Sequence, residues 1–188
     1  LADKRLREDT GWRSHHDRSS ERRDSTDRRQ QCHQIQPDLG GKLKEIAARC
    51  KGVGIIPAEL GAAYGVSGSN LRASGVDWDL RRDGEPYLAY PDLDFKVWTH
   101  PDGDSFARYW VRLQETREAC HMVDQLLDSI PAGPIMAKVP RIIKVPAGEA
   151  YVATENPLGE MGYYVVSKGD LGPFRTKIRS ASFSNVSI

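Results

Sequence analysis

Three cations alternate near the end of the chain, Arg175, Lys177 and Arg179, with Thr176 and Ile178 between them. A β-strand points successive side chains to opposite faces, so this spacing predicts all three charges on one face. Such a face can simply be solvated, or it can stabilise negative charge that develops where water is excluded. Arginine stays charged at any working pH, so the chemistry would be electrostatic and not proton transfer. Glu155 and Glu160, ahead of the preceding predicted strand, are the candidate counter-charges. A second charged set, Arg72, Asp77, Asp79, Arg81 and Arg82, crowds a Gly-bounded segment too poor in apolar residues to be a strand. Its alternating acids and bases predict a structural polar network in a loop, with plain solvent exposure as the alternative.

Other chemistries fail on spacing. Cys32, Cys50 and Cys120 are isolated and never form a C-x-x-C pair, which excludes a disulfide framework and the usual zinc or iron–sulfur spacings. Cys120 and His121 are neighbours on a predicted helix and point about 100° apart, so they cannot share a metal. His15, His16, Cys32 and His33 have no second cluster to complete a ligand set. Gly52-Val53-Gly54-Ile55-Ile56-Pro57 replaces the last glycine of a dinucleotide fingerprint with proline and follows no strand. Gly65-Val66-Ser67-Gly68-Ser69 ends in serine where a nucleophile elbow needs glycine.

The elements that must position these residues begin near residue 41. Of residues 1–30, 9 are Lys or Arg and 7 are Asp or Glu; such a stretch cannot bury enough apolar surface to offset its ordering entropy. Residues 1–40 are therefore expected to be a disordered charged tail and residues 41–188 the folded domain. Leu43, Ile46, Ala47 and Cys50 predict a short amphipathic helix over 42–50, Pro57-Ala58-Glu59-Leu60 a helix start, and residues 65–87 an ordered loop. Asp104 or Ser105 can cap the longest helix, over 106–130. Phe106, Tyr109, Trp110, Leu113, Cys120, Val123, Leu127 and Ile130 give it one stripe before Pro131. Tyr163–Ser167 and Phe174–Ile178 read as two strands joined by a Gly-rich turn. The expected class is α+β. The net charge of +1 over 188 residues argues against a nucleic-acid protein. No apolar run reaches the roughly 18–20 residues of a spanning helix, and three cysteines that never form a C-x-x-C pair suit a reducing compartment.

Two ordered motifs carry a resemblance over about residues 52–183. The first runs from Gly52-Val53-Gly54-Ile55-Ile56-Pro57 through Ala62–Gly68 to Leu71-Arg72-Ala73-Ser74-Gly75-Val76-Asp77-Trp78-Asp79-Leu80-Arg81-Arg82. The second is Glu155-Asn156-Pro157-Leu158-Gly159-Glu160-Met161-Gly162-Tyr163-Tyr164-Val165-Val166-Ser167, followed by Pro173–Arg179. Together they closely resemble the D subunit of proton-translocating NADH:quinone oxidoreductase, respiratory complex I, a family related to the large subunit of nickel–iron hydrogenases. Ser69-Asn70 stands where that family has Pro-Met, and Ser180–Phe183 where it has a Pro-containing segment. Its N-terminal hairpin, with a quinone-facing His and a Tyr, has no counterpart here.

The resemblance implies a fragment of the hydrogenase-large-subunit-like fold, with helices plus a C-terminal β-hairpin behind a tail foreign to the family. It implies a subunit that helps form the quinone-reduction site beside the terminal iron–sulfur cluster, coupling electron transfer from NADH to proton pumping. NADH and the cluster would be bound by partner subunits, the cluster by the small subunit, and this chain would hold no cofactor itself. Arg175, Lys177 and Arg179 would lie near cluster and quinone. The location would be peripheral, on the cytoplasmic side of a bacterial membrane or the matrix side of a mitochondrial one, reaching the membrane arm through partners. By itself the fragment would be inactive. The competing readings are a truncated or hydrogenase-like interaction or assembly protein, and an RNA-binding adaptor using residues 1–30.

Overall fold

The computed structural model describes residue 30 and residues 43–188 except 132, 135 and 137. The expected tail over 1–40, with its His15, His16, Cys32 and His33, lies outside the described residues but for Gln30. Helix α1 (Leu43–Cys50) meets expectation, with Ile46, Ala47 and Cys50 half-buried. Helix α2 (Ala58–Ala63) starts after Pro57, which occupies the N-cap position, where its fixed φ is already in place.

Sequence spacing predicts one ordered loop over 65–87; the structure instead builds two four-residue helices there, α3 (Ser69–Arg72) and α4 (Leu80–Asp83). A single turn is too short to show periodicity, and side-chain caps close α4. Asp79 Oδ1 accepts from the Arg81 N–H at 3.0 Å, while Asp83 Oδ2 accepts from the Asp79 N–H at 2.9 Å.

The long helix α5 (Ser105–Ser129) runs unbroken to a C-cap at Ile130, ahead of Pro131. Asp104 is its N-cap: Oδ1 accepts from the Ala107 N–H and Oδ2 from the Gly52 N–H, each at 2.7 Å. The same end is pinned by Ile56 N–H to Gly103 O at 2.9 Å and Ser105 N–H to Val53 O at 2.9 Å. The buried face, however, differs from the predicted stripe. Ala107, Val111, Leu113, Cys120 and Met122 are buried, whereas Phe106, Tyr109, Trp110, Val123 and Leu127 are half-buried and Ile130 is 66% exposed. Helix α3 covers one flank, closing on Ala73, Ala107 and Val111. Trp98 covers another, its ring centroid 5.7 Å from that of Trp110. The stripe is thus divided between two neighbours.

The C-terminal part is a three-stranded antiparallel meander in place of the expected two-stranded hairpin: β1 (Gly148–Asn156), β2 (Gly159–Ser167) and β3 (Arg175–Arg179). Strand β1 escapes sequence reading because neither face is buried at its N-terminal half, so its residues do not alternate between apolar and polar. A final helix, α6 (Ala181–Val186), follows. No described helix is long and apolar enough to cross a membrane.

Candidate functional site

The two sequence motifs, far apart in the chain, meet in space. The Glu160 N–H donates to Ser67 Oγ at 3.0 Å, and Asn185 joins both sides by accepting from the Ser67 N–H at 3.3 Å and donating to Leu158 O at 2.7 Å. Gly68 has φ +68°, and a Cβ there would lie 2.5 Å from Gly159 Cα. The β1–β2 turn therefore seats directly on the loop before α3, and only glycine permits the approach. Arg179 locks the joint: its Nη2 donates to Gly65 O at 2.9 Å, its Nη1 to Glu160 O at 3.0 Å, and it pairs with Glu160 Oε2 at 3.0 Å.

Beneath the joint, Arg72 has a side chain only 3% exposed and faces three carboxylates. Its Nη1 lies 3.3 Å from Asp79 Oδ2, its Nε 2.7 Å from Glu115 Oε1 and its Nη2 3.0 Å from Glu155 Oε1. Arg81 Nη2 reaches Asp79 Oδ2 at 2.6 Å. Burial opposes ionisation of Asp79, but the hydrogen bond from Arg81 and the charges of Arg72 and Arg81 outweigh it and hold its carboxyl below the usual range. Burial also works against the Arg72 charge, and Glu115, Asp79 and Glu155 reverse it, raising the guanidinium further. The predicted five-residue network is thus split. Arg72, Asp79 and Arg81 are internal, while Arg82 pairs with Asp77 at 3.0 Å and Asp83 at 2.7 Å on the exposed side. Glu155, read from sequence as a counter-charge to β3, serves Arg72. Glu115 gave no sequence signal, since nothing local links it to a partner on another helix.

The cationic strand sits on the sheet's other functional surface. Register places Tyr151, Tyr164 and Lys177 side by side across the three strands. With Arg179 they line an open cleft of about 460 Å³. Tyr151 donates to Glu160 Oε1 at 3.0 Å and Tyr164 to Glu149. The Glu149 bond first and burial second push the Tyr164 hydroxyl up, and burial and then Glu160 push up that of Tyr151. Among the described residues, Arg175 and Lys177 enter no ion pair. The opposite face carries the exposed row Val152, Tyr163 and Ile178, so the alternation expected of β3 is present. Arg179 shares the cationic face, but its charge is committed to Glu160. The tyrosines could not be placed from sequence while β1 was unrecognised.

Among the described residues no group of three or more His, Cys, Asp or Glu is placed to hold a metal ion.

Known proteins are similar to this chain. The family model described as respiratory-chain NADH dehydrogenase, 49 Kd subunit, matches residues 29–144 and 139–188, a range that begins upstream of the boundary drawn at residue 41. The NADH-quinone oxidoreductase D 2 subunit of Solibacter usitatus is 48% identical over 138 residues, covering 73% of this chain and 37% of that protein. The NADH-quinone oxidoreductase D 1 subunit of Streptomyces coelicolor is 50% identical over 153 residues, covering 79% and 39%. The chain thus spans about two fifths of the length of these relatives. Among solved structures, the membrane-bound sulfane sulfur reductase, an archaeal respiratory membrane complex, contains a chain similar to this one. The TM-score is 0.69 at 35% identity, covering 83% of this chain and 46% of that one.

Proposed function

Since the chain belongs to the family of the respiratory-chain NADH dehydrogenase 49 Kd subunit, we propose that it serves in a proton-translocating NADH:quinone oxidoreductase, helping to form the quinone-reduction site. The observation that carries this reading is the sheet face on which Arg175 and Lys177 stand without ion-pair partners among the described residues, beside Tyr151 and Tyr164 and adjoining the joint of the two motifs. Water-filled, that face is only a solvated strand. Closed by a partner subunit, its cations act in a low dielectric, where they stabilise negative charge far more strongly. Arg179, already neutralised by Glu160 at 3.0 Å, holds the strand in place and leaves the electrostatic role to the other two.

The helices and sheet are read as part of a hydrogenase-large-subunit-like fold. The likeness to a chain of an archaeal respiratory complex supports that reading. We assign the terminal iron–sulfur cluster to the small partner subunit and NADH to another, as the resemblance implies. Bound there, the cluster supplies one-electron transfer to quinone; this chain orients, excludes water and supplies positive charge. The assembly is peripheral to the membrane, on the cytoplasmic or matrix side, and contacts the membrane arm through partners. The names of the relatives favour a subunit over an assembly factor.

The test uses an intact bacterial complex carrying Met at the positions matching Arg175 and Lys177, both exposed and unneeded for the joint. NADH oxidation by an artificial acceptor is expected to persist, while quinone reduction falls about tenfold, equivalent to ~1.4 kcal/mol of lost stabilisation. Full quinone reduction in the assembled double variant overturns the reading.

A further inference from the structure

The Arg72 cluster holds three carboxyl groups, Asp79, Glu115 and Glu155, against two guanidiniums, Arg72 and Arg81. Fully ionised it would carry one surplus negative charge. The five side chains are between 0% and 17% exposed. A lone charge in such surroundings is costly, and a carboxyl group escapes the cost by binding a proton.

We propose that Glu155 is the proton-binding site of this cluster, so that the folded chain holds one proton where β1 meets α3, α4 and α5.

The geometry selects Glu155 among the three. Asp79 accepts from Arg81 Nε at 2.9 Å, Arg81 Nη2 at 2.6 Å and the Arg81 N–H at 3.0 Å, with Arg72 Nη1 at 3.3 Å. Three hydrogen bonds and the charge of a second guanidinium hold it ionised. Glu115 accepts from Arg72 Nε at 2.7 Å and from Ser69 Oγ at 2.8 Å, and at 17% exposure it keeps some water. Glu155 is 6% exposed, and among the described residues the one side-chain bond it accepts is from Arg72 Nη2 at 3.0 Å. That guanidinium is already shared with both other carboxylates. The remaining neighbours among the described residues give it no further cation of its own. Tyr87 contributes a neutral hydroxyl that accepts from the Glu155 N–H at 3.1 Å. Glu160, opposite on β2, is a like charge occupied by Arg179 and Tyr151. Arg81 is spent on Asp79. Burial pushes the Glu155 carboxyl up and the Asp79 charge adds to it, outweighing the attraction of Arg72 and Arg81.

The consequence is mechanical as well as electrostatic. Glu155 is the strand's own contribution to a cluster otherwise built from helices. Losing the proton leaves the surplus charge at the seam between β1 and the helical body, and binding it removes the mismatch. Because the folded value lies above the unfolded one, the stability this proton confers is full below about pH 4.3 and is lost as pH rises through the folded value.

The experiment compares the full chain with Glu155→Gln, a neutral isostere of the protonated acid, by urea denaturation at pH 5 and pH 8. The variant is expected to have the higher midpoint at pH 8, with the advantage shrinking toward pH 5. In parallel, the wild-type infrared spectrum is expected to show a protonated-carboxyl C=O band that persists above the ordinary glutamate range and is absent from the variant. A variant destabilised equally at both pH values, as for a deleted ion pair, overturns the proposal. So does a wild-type spectrum lacking that band, and this criterion holds even if the variant does not fold. A band retained in Glu155→Gln overturns the assignment to Glu155.

Discussion

At Asp104 a single 3%-exposed carboxylate performs two tasks. One oxygen satisfies the first turn of α5 through Ala107, and the other draws the Gly52 N–H, and with it the segment leading to α2, onto the same helix end. The capping half of this role follows from sequence, because an Asp directly ahead of a long helical stretch is a start signal. The second half does not, since the partner lies 52 residues earlier and no local spacing encodes it. The same limit hid Glu115 and misassigned Glu155, which meet Arg72 across 43 and 83 residues. Charge alternation showed that residues 72–82 needed partners but could not say from where. Asp104→Ala is expected to destabilise the chain by about 1–2 kcal/mol for the cap, with the stranded Gly52 N–H adding to the loss. Urea denaturation measures the total, and hydrogen exchange at Gly52 and Ala107 shows both amides losing protection. Unchanged exchange at Gly52 would separate the two tasks.

Elements were legible in proportion to their length and to the coverage of their faces. Helix α5 was evident from its 25 residues and β2 from its aromatic and β-branched run. The four-residue α4 is held by its Asp79 cap and α3 by the ion pairs of Arg72, rather than by a stripe. Strand β1 lacks a buried face at its start. Glycine had the same ambiguity: Gly65–Ser69 could be dismissed as a nucleophile elbow, but that Gly68 admits a strand turn required the partner in place. At Gly159, with φ +122°, a Cβ would meet the Ser67 carbonyl carbon at 2.7 Å. Both sides of the joint are backbone and cannot yield as a flexible side chain could. Gly68→Ala is therefore expected to lose about 1–3 kcal/mol from strained φ, with overpacking in addition. The loss should fall chiefly on the β1–β2 turn, as lost amide protection at Glu160. Gly52→Ala is the control, because its φ of +70° is strained while no atom lies within 4 Å. Equal losses at the two sites would mean that the close packing adds nothing.

At the scale of the whole molecule, the apolar core among the described residues is small, centred on Ala73, Ala107 and Val111, whereas Arg72, Asp79 and Asp104 are buried beside it. Net stability is a small difference between large terms, so titration of buried groups should shape it strongly. Burial resists the ionisation of Asp79, Asp104 and Glu118. Arg81 and Arg72 overcome it for the first, the Ala107 and Gly52 amides for the second, and Trp98 and the Lys96 amide for the third, leaving each below its ordinary range. Groups held low in the folded state stabilise it above their unfolded values, about 3.9 for Asp and 4.3 for Glu, and that stability is lost as pH falls toward the folded values. Glu155 has the opposite sign, its contribution fading as pH rises. The urea midpoint is thus expected to peak above about pH 4.3 and to fall steeply in acid, where Asp79, Asp104 and Glu118 act together with Asp83, which Arg82 also holds low. It should fall gently as pH rises toward neutrality, where Glu155 acts before any tyrosine titrates. Asp104→Asn should flatten the acid limb while leaving the alkaline slope intact, and Glu155→Gln should do the reverse. A midpoint independent of pH, or one variant altering both limbs alike, would show that these buried charges do not titrate separately.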